Sequence, residues 1–224
     1  MREVLLSLVV VLAGSVSLST PSAAATADPA NLGTLGPVLE AKLKEWLTTW
    51  RAVQPALSVE QFKKGETGHM GPTWDSLHID LSERNPKLPL YVFSSDMRWV
   101  VDPFGALRMS KQNGAILAGF DVDNSVFLID RKMSRQRSML FSGPSGGTHE
   151  AIWLWNDGFV VAGYGEGQPK EGCGGGPTHK PILYLVSIPR NSLTPYVGPE
   201  SCRGVGSEYV IQKVKKKIPN VKFY

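Results

Sequence analysis

From residue 65 to residue 204 the chain repeats one small pattern: a polar turn, then about four apolar residues. Ser94-Ser95-Asp96 leads into Trp99-Val100-Val101, Asp123-Asn124 into Val126-Phe127-Leu128-Ile129, and Asn156-Asp157-Gly158 into Phe159-Val160-Val161-Ala162. Runs this short are strand-length, and Asn-Asp-Gly is a strong hairpin signal. Extended segments are expected at 88–93, 98–101, 115–120, 125–130, 138–141, 151–155, 159–164, 182–188 and 193–197. Residues 131–137 read as a charged turn, 142–148 as a small-residue loop and 165–181 as a long glycine-rich loop.

Helical periodicity occurs only near the two ends. Leu39, Leu43, Trp46, Leu47, Trp50 and Val53 form one stripe at spacings of three and four, predicting a helix over 37–53 with Pro37 in its first turn. Residues 28–36 read as a lead-in. Ser58-Val59-Glu60-Gln61 fits a capping box. Val210, Val214 and Ile218 mark a second, short helix capped by Ser207, with its lysines on a solvated face. The expected fold is α+β, mostly β: an antiparallel meander or sandwich with an N-terminal amphipathic helix and a short C-terminal helix. The hairpins resemble blades of a β-propeller. A propeller needs at least four blades of about 40 residues each, which 65–204 cannot hold, so the set is incomplete.

The N-terminus predicts export. Arg2 precedes an apolar run over 4–18, followed by Pro21 and the small residues Ala23, Ala24, Ala25, Thr26 and Ala27. The run is too short to span a bilayer, which takes about 20 apolar residues. Residues 1–27 therefore read as a cleaved signal peptide, leaving 28–224 as one β-rich domain in the periplasm or outside the cell. In an oxidising compartment, the chain's only two cysteines, Cys173 and Cys202, are expected to form a disulfide.

The net charge of +4 is mild. No aromatic residues interleave with Lys213, Lys215, Lys216, Lys217 and Lys222, so nucleic acid is not an expected partner. No cofactor or metal motif is specific. Asp121 and Asp123 lack the glycine and glutamate of a calcium loop, and turn formation explains them.

Gly143-Pro144-Ser145-Gly146-Gly147 is similar to the Gly-Asp-Ser-Gly-Gly around the nucleophile of trypsin-like serine proteases. That resemblance implies a nucleophilic Ser145 with an upstream histidine base, His69 or His78 here, and a hydrolase on Ser145 would use His149 or His78. The chain departs from the pattern at Pro144, where the family has Asp. His69 and His78 also lack the family's Ala-Ala-His-Cys setting.

A non-enzymatic binding module is the leading expectation. It would use the loop over 142–150 against a protein partner, as inhibitor or immunity proteins do, with Ser142, Ser145, His149 and Glu150 as candidate contacts. His149 and Glu150 read as an exposed pair pointing to opposite faces of a strand. Trp153 and Trp155 read as sharing one face, with Trp99 and Phe127 beside them, and would serve as a platform for a glycan or a peptide. The alternatives are a serine hydrolase on Ser145 and a glycan- or peptide-binding envelope protein.

Sequencing the start of the exported protein is expected to return Asp28-Pro29. An intact Met1 there would remove the cleavage reading.

Overall fold

The computed structural model describes residues 32–71 and 73–224. The expected signal peptide lies outside the described residues. The described chain is α+β and mostly β, with 43% of the described residues in strands and 21% in helices, and its sheets are antiparallel apart from one terminal strand.

Two helices come first, α1 (Leu32–Lys42) and α2 (Lys44–Val53), meeting at Leu43. Short strands follow: β1 (Lys63–Lys64), β2 (Gly68–His69), β3 (Asp75–Ser76) and β4 (Val92–Phe93). Then come β5 (Trp99–Asp102), β6 (Leu107–Gln112), β7 (Ala115–Phe120), β8 (Asn124–Asp130) and β9 (Arg135–Ser142). The longest strands are β10 (Gly146–Trp155), β11 (Gly158–Pro169) and β12 (Pro177–Ser187). After β13 (Ser192–Val197), α3 (Ser207–Lys217) and β14 (Val221–Phe223) close the chain.

The central sheet has the order β1-β13-β12-β11-β10, with β2 also paired to β13. A second sheet, β3-β9-β8-β5-β4, stacks on one of its faces. Trp99, Val101, Val126 and Leu128 from the second sheet meet Trp153, Phe159, Val161 and Val186 from the first. The opposite face of the central sheet carries Val160, Ala162, Leu183 and Leu185, which pack on the stripe of α1 and α2. Leu39, Leu43, Trp46, Leu47 and Trp50 are fully buried there. Each such side chain contributes about 1.5–3 kcal/mol of hydrophobic stabilisation. A third sheet, β14-β7-β6, packs on α3 through Leu107, Ala118, Val210, Val214 and Ile218.

Several expectations are corrected. The first helix includes 32–36, ahead of Pro37, because Leu32 and Leu35 are buried in the helix layer and this outweighs the low propensity of Gly33 and Gly36. Residues 88–90 form a 3₁₀ turn, and only Val92–Phe93 of that stretch is strand. β6 has no counterpart in the sequence reading. It pairs with β7 through a tight turn in which Asn113 and Gly114 both have positive φ, the hallmark of a type I′ hairpin. The charged turn is shorter than expected, since β9 begins at Arg135. The glycine-rich loop shrinks to 170–176, because β11 and β12 extend through most of it. Gly206, not Ser207, occupies the cap position of α3. The capping box at Ser58 and Gln61 is present on a 3₁₀ turn.

Cys173 and Cys202 are bonded, with Cα atoms 5.0 Å apart and a sequence separation of 29. In the chain-entropy model a loop of this length stabilises by about 3–4 kcal/mol. Cys202→Ser is expected to lower unfolding free energy by that amount in urea titration. A loss below about 1 kcal/mol would show that the bridge constrains little of the unfolded chain.

Candidate functional site

The site is built on a register fault in β10. Thr148 stands opposite Gly163 and Glu150 opposite Ala162, so His149 is an extra residue with no cross-strand partner. Such a bulge interrupts the alternation of side chains. His149 and Glu150 consequently both turn toward the helices. The Nδ1 of His149 accepts a hydrogen bond from the indole N–H of Trp46 on α2, at 3.0 Å. The carboxylate of Glu150 accepts from the Tyr209 hydroxyl, at 2.8 Å, and from the Lys213 ammonium, both on α3. The expected exposed pair is thus overturned: His149 is 0% and Glu150 7% exposed.

A second fault, between Trp153 and Trp155, has the converse effect and separates the tryptophans. Trp153 stays in the sandwich, with its indole N–H on the Val92 carbonyl and its ring 4.8 Å from Phe159. Trp155 is turned to the helix side. The two do not share a face, which removes the geometry of the expected aromatic platform.

Two phenol rings lie against His149: Tyr164 stacked at 5.0 Å and Tyr209 tilted at 5.1 Å. Because Nδ1 accepts from an indole, the ring proton is assigned to Nε2. Burial pushes the imidazole pKa down to about 3, and the nearby Lys213 ammonium acts in the same sense. At neutral pH this histidine is a fixed N–H donor and is not available as a general base. Its Nε2 lies on the side of the Gly206 carbonyl but forms no hydrogen bond of normal geometry. Burial, and then the Glu150 carboxylate, raise the pKa of the Tyr209 phenol.

His149 is one of the residues around a cavity of about 120 Å³. Phe104, Leu107, Val210 and Tyr164 supply apolar walls, while His149 and Thr148 supply polar groups. The Thr148 hydroxyl is occupied: it accepts from the Asn124 amide at 3.0 Å and donates to the Pro103 carbonyl. Gly147 lets the β9–β10 turn lie against the Tyr164 ring, because a Cβ there would sit 2.7 Å from it. The rim holds Phe120, Val122 and Pro144. Val122 is 74% exposed, and so is 70% of Phe141, one rung along the β8–β9 ladder from Asn124. Exposed apolar side chains grouped at a concave mouth are a recognised mark of a binding surface.

The small-residue loop is only three residues long, 143–145. Ser142 ends β9 opposite Asn124, half-buried. Ser145 is exposed at the turn, where its carbonyl accepts from the Glu166 amide at 2.7 Å. No described histidine hydrogen-bonds its hydroxyl: His149 is held on Trp46, and His78 lines a different cleft with Lys87 and Asp102.

Of the expected site residues, the structure thus places Ser145 near the rim and His149 at the cavity. Glu150 becomes a brace, and the two tryptophans go elsewhere. Trp46, Tyr164, Tyr209, Lys213, Phe120 and Val122 are members that the sequence reading did not connect. Trp46 meets His149 across 103 residues, and no local pattern signals such a contact. The lysines of α3 are not simply solvated: Lys213 pairs with Glu150, Lys216 with Glu45, and Lys217 donates to the Pro89 carbonyl. Asp121 caps the backbone of Val122 and pairs with Arg108 at 3.5 Å, a turn role as expected.

Comparison with protein-family models, with curated proteins and with solved structures finds no match.

The histidine makes acid stability a direct check. Its folded pKa of about 3 lies below the ordinary value of 6.5, so between those values the unfolded chain binds the extra proton. Stability from this group is complete above about pH 6.5 and falls with acid, by about 2 kcal/mol on reaching pH 5. Urea titrations at pH 7.5 and pH 5 should show that loss in the wild type and its absence in His149→Phe. Equal losses in both would refute the assignment.

Proposed function

We propose that the protein is an exported, non-enzymatic binding module. Its contact surface is the end of the molecule where the β7–β8 connection, the β9–β10 turn and the mouth of the His149 cavity meet. The observation that carries this reading is the grouping of exposed Phe120, Val122 and Pro144 at the rim of a cavity. The expected loop over 142–150 contributes its tip, Pro144 and Ser145, to the same surface. The chemistry supports binding over catalysis, since His149 is held neutral and hydrogen-bonded to Trp46.

A protein partner suits this surface, as in inhibitor- or immunity-type modules where a small β domain presents a turn to a cleft. The disulfide and the N-terminal segment fit action in the periplasm or outside the cell.

Capture from an envelope and secreted extract of the source organism tests the reading. Wild-type protein is expected to retain one stoichiometric partner. Val122→Asp, Phe141→Asp and Ser145→Arg should each abolish its retention with melting temperature unchanged, because all three side chains are exposed. Retention unaffected by the three variants would overturn this surface.

A further inference from the structure

We infer that a groove between α3 and the adjoining edges of the two larger sheets binds a small apolar carboxylic acid, with the carboxylate at Lys217 and the hydrocarbon along β4. The inference goes beyond the protein-binding surface, and nothing in it depends on that surface.

Two sheet edges meet at this groove. β4 is the edge strand of the second sheet and β10 that of the central sheet. Val92 and Phe93 of β4, Ala151 of β10, and Leu90 and Phe104 form its apolar wall. Tyr91 and Pro103 complete that wall, and the Tyr91 hydroxyl is taken by the Asn85 amide. The last turns of α3 supply Lys213, Lys216 and Lys217. Val92 and Phe93 are half-buried, and Lys216 and Lys217 are exposed, so solvent reaches both the wall and the charged lip. The groove encloses about 500 Å³, a size ordinary for small-molecule pockets. A cavity of about 150 Å³ takes benzene, so this one has room for about ten to twenty heavy atoms.

Charge decides what kind of molecule enters. Besides the three lysines, the charged residues along the groove are Glu45 and Glu150. Glu150 accepts from Lys213 and Tyr209, and Glu45 accepts from Lys216. Lys217 is left over. Its ammonium donates to the Pro89 carbonyl at 3.1 Å and pairs with no carboxylate among the described residues. Burial lowers its pKa, and repulsion from Lys213 adds to this against the attraction of Glu150. An ammonium has three protons, so Lys217 keeps donors for a ligand. A carboxylate beside it supplies the missing counter-charge, in the class of hydrogen bond that is strongest. A cation would meet the lysines instead. A doubly charged phosphate would bring a second negative charge near Glu45 and Glu150. The chemistry therefore favours a single negative charge on an apolar body.

Octanoate is the probe, with 1-octanol and octylammonium as its neutral and cationic counterparts. In calorimetric titrations octanoate is expected to bind at least about tenfold more tightly than either. On saturation with octanoate the Lys217 ammonium pKa, followed by NMR, should rise, because a nearby anion favours the charged form. Lys217→Gln should bring octanoate down to the affinity of octanol, and Lys217→Glu should shift the preference to octylammonium. The pKa of wild-type Lys217 decides the matter even where a variant fails to fold. Val122→Asp, which alters the protein-binding surface, should leave octanoate affinity unchanged. Equal affinity for octanoate and octanol, an unmoved Lys217 pKa, or loss of octanoate binding in Val122→Asp overturns the groove site.

Discussion

Strand β11 is buried on both faces, and the rest of the architecture follows from that constraint. Phe159 and Val161 point into the sandwich, Val160 and Ala162 into the helix layer, and all four are fully buried. A strand apolar on both sides has to be covered twice, because either face left open would expose a continuous hydrophobic surface. The second sheet covers one side and the α1–α2 pair the other. Lys42 ties the helix layer to the margin of the sheet by donating to the Trp153 carbonyl. The central sheet is therefore the middle of three layers.

Two buried charge pairs fasten neighbouring elements together. Lys87 and Asp102 form a buried pair at 2.8 Å, and Asp102 also accepts from the Phe104 amide. This fixes the segment before β4 to the end of β5. Burial lowers the Lys87 pKa, opposed by the attraction of Asp102. Glu150 with Lys213 and Tyr209 does the same between β10 and α3. Pairs of this kind give little net stability against an apolar replacement, but they are costly to break singly. Their effect is to set which surfaces meet. At Glu150 that choice places α3 over the His149 cavity, so a structural brace also shapes the site.

Half of the site was legible in the sequence because it is local. The small residues at 142–148 announce a turn, and Ser145 does lie exposed on one. His149 and Glu150 were legible as residues but not in their orientation. A strict two-residue alternation sends them to opposite faces, whereas a bulge sends both to the helices. Trp153 and Trp155 were misplaced for the converse reason, because a second bulge separates side chains that alternation would group. A one-residue slip in register leaves no compositional trace, yet it reverses every assignment beyond it.

The sequence by itself determined the class of the fold, the apolar stripes of α1–α2 and α3, most of the hairpins, and the pairing of two cysteines that have no other partner. These depend on periodicity and turn chemistry within a few residues. Only the tertiary structure decided that His149 is buried against Trp46 as a neutral ring, that Glu150 braces α3, and that Phe120 and Val122 share a mouth with the β9–β10 turn. Burial, pKa and surface grouping are set by groups brought together from 60 to about 100 residues apart. No short-range pattern encodes which of them will meet.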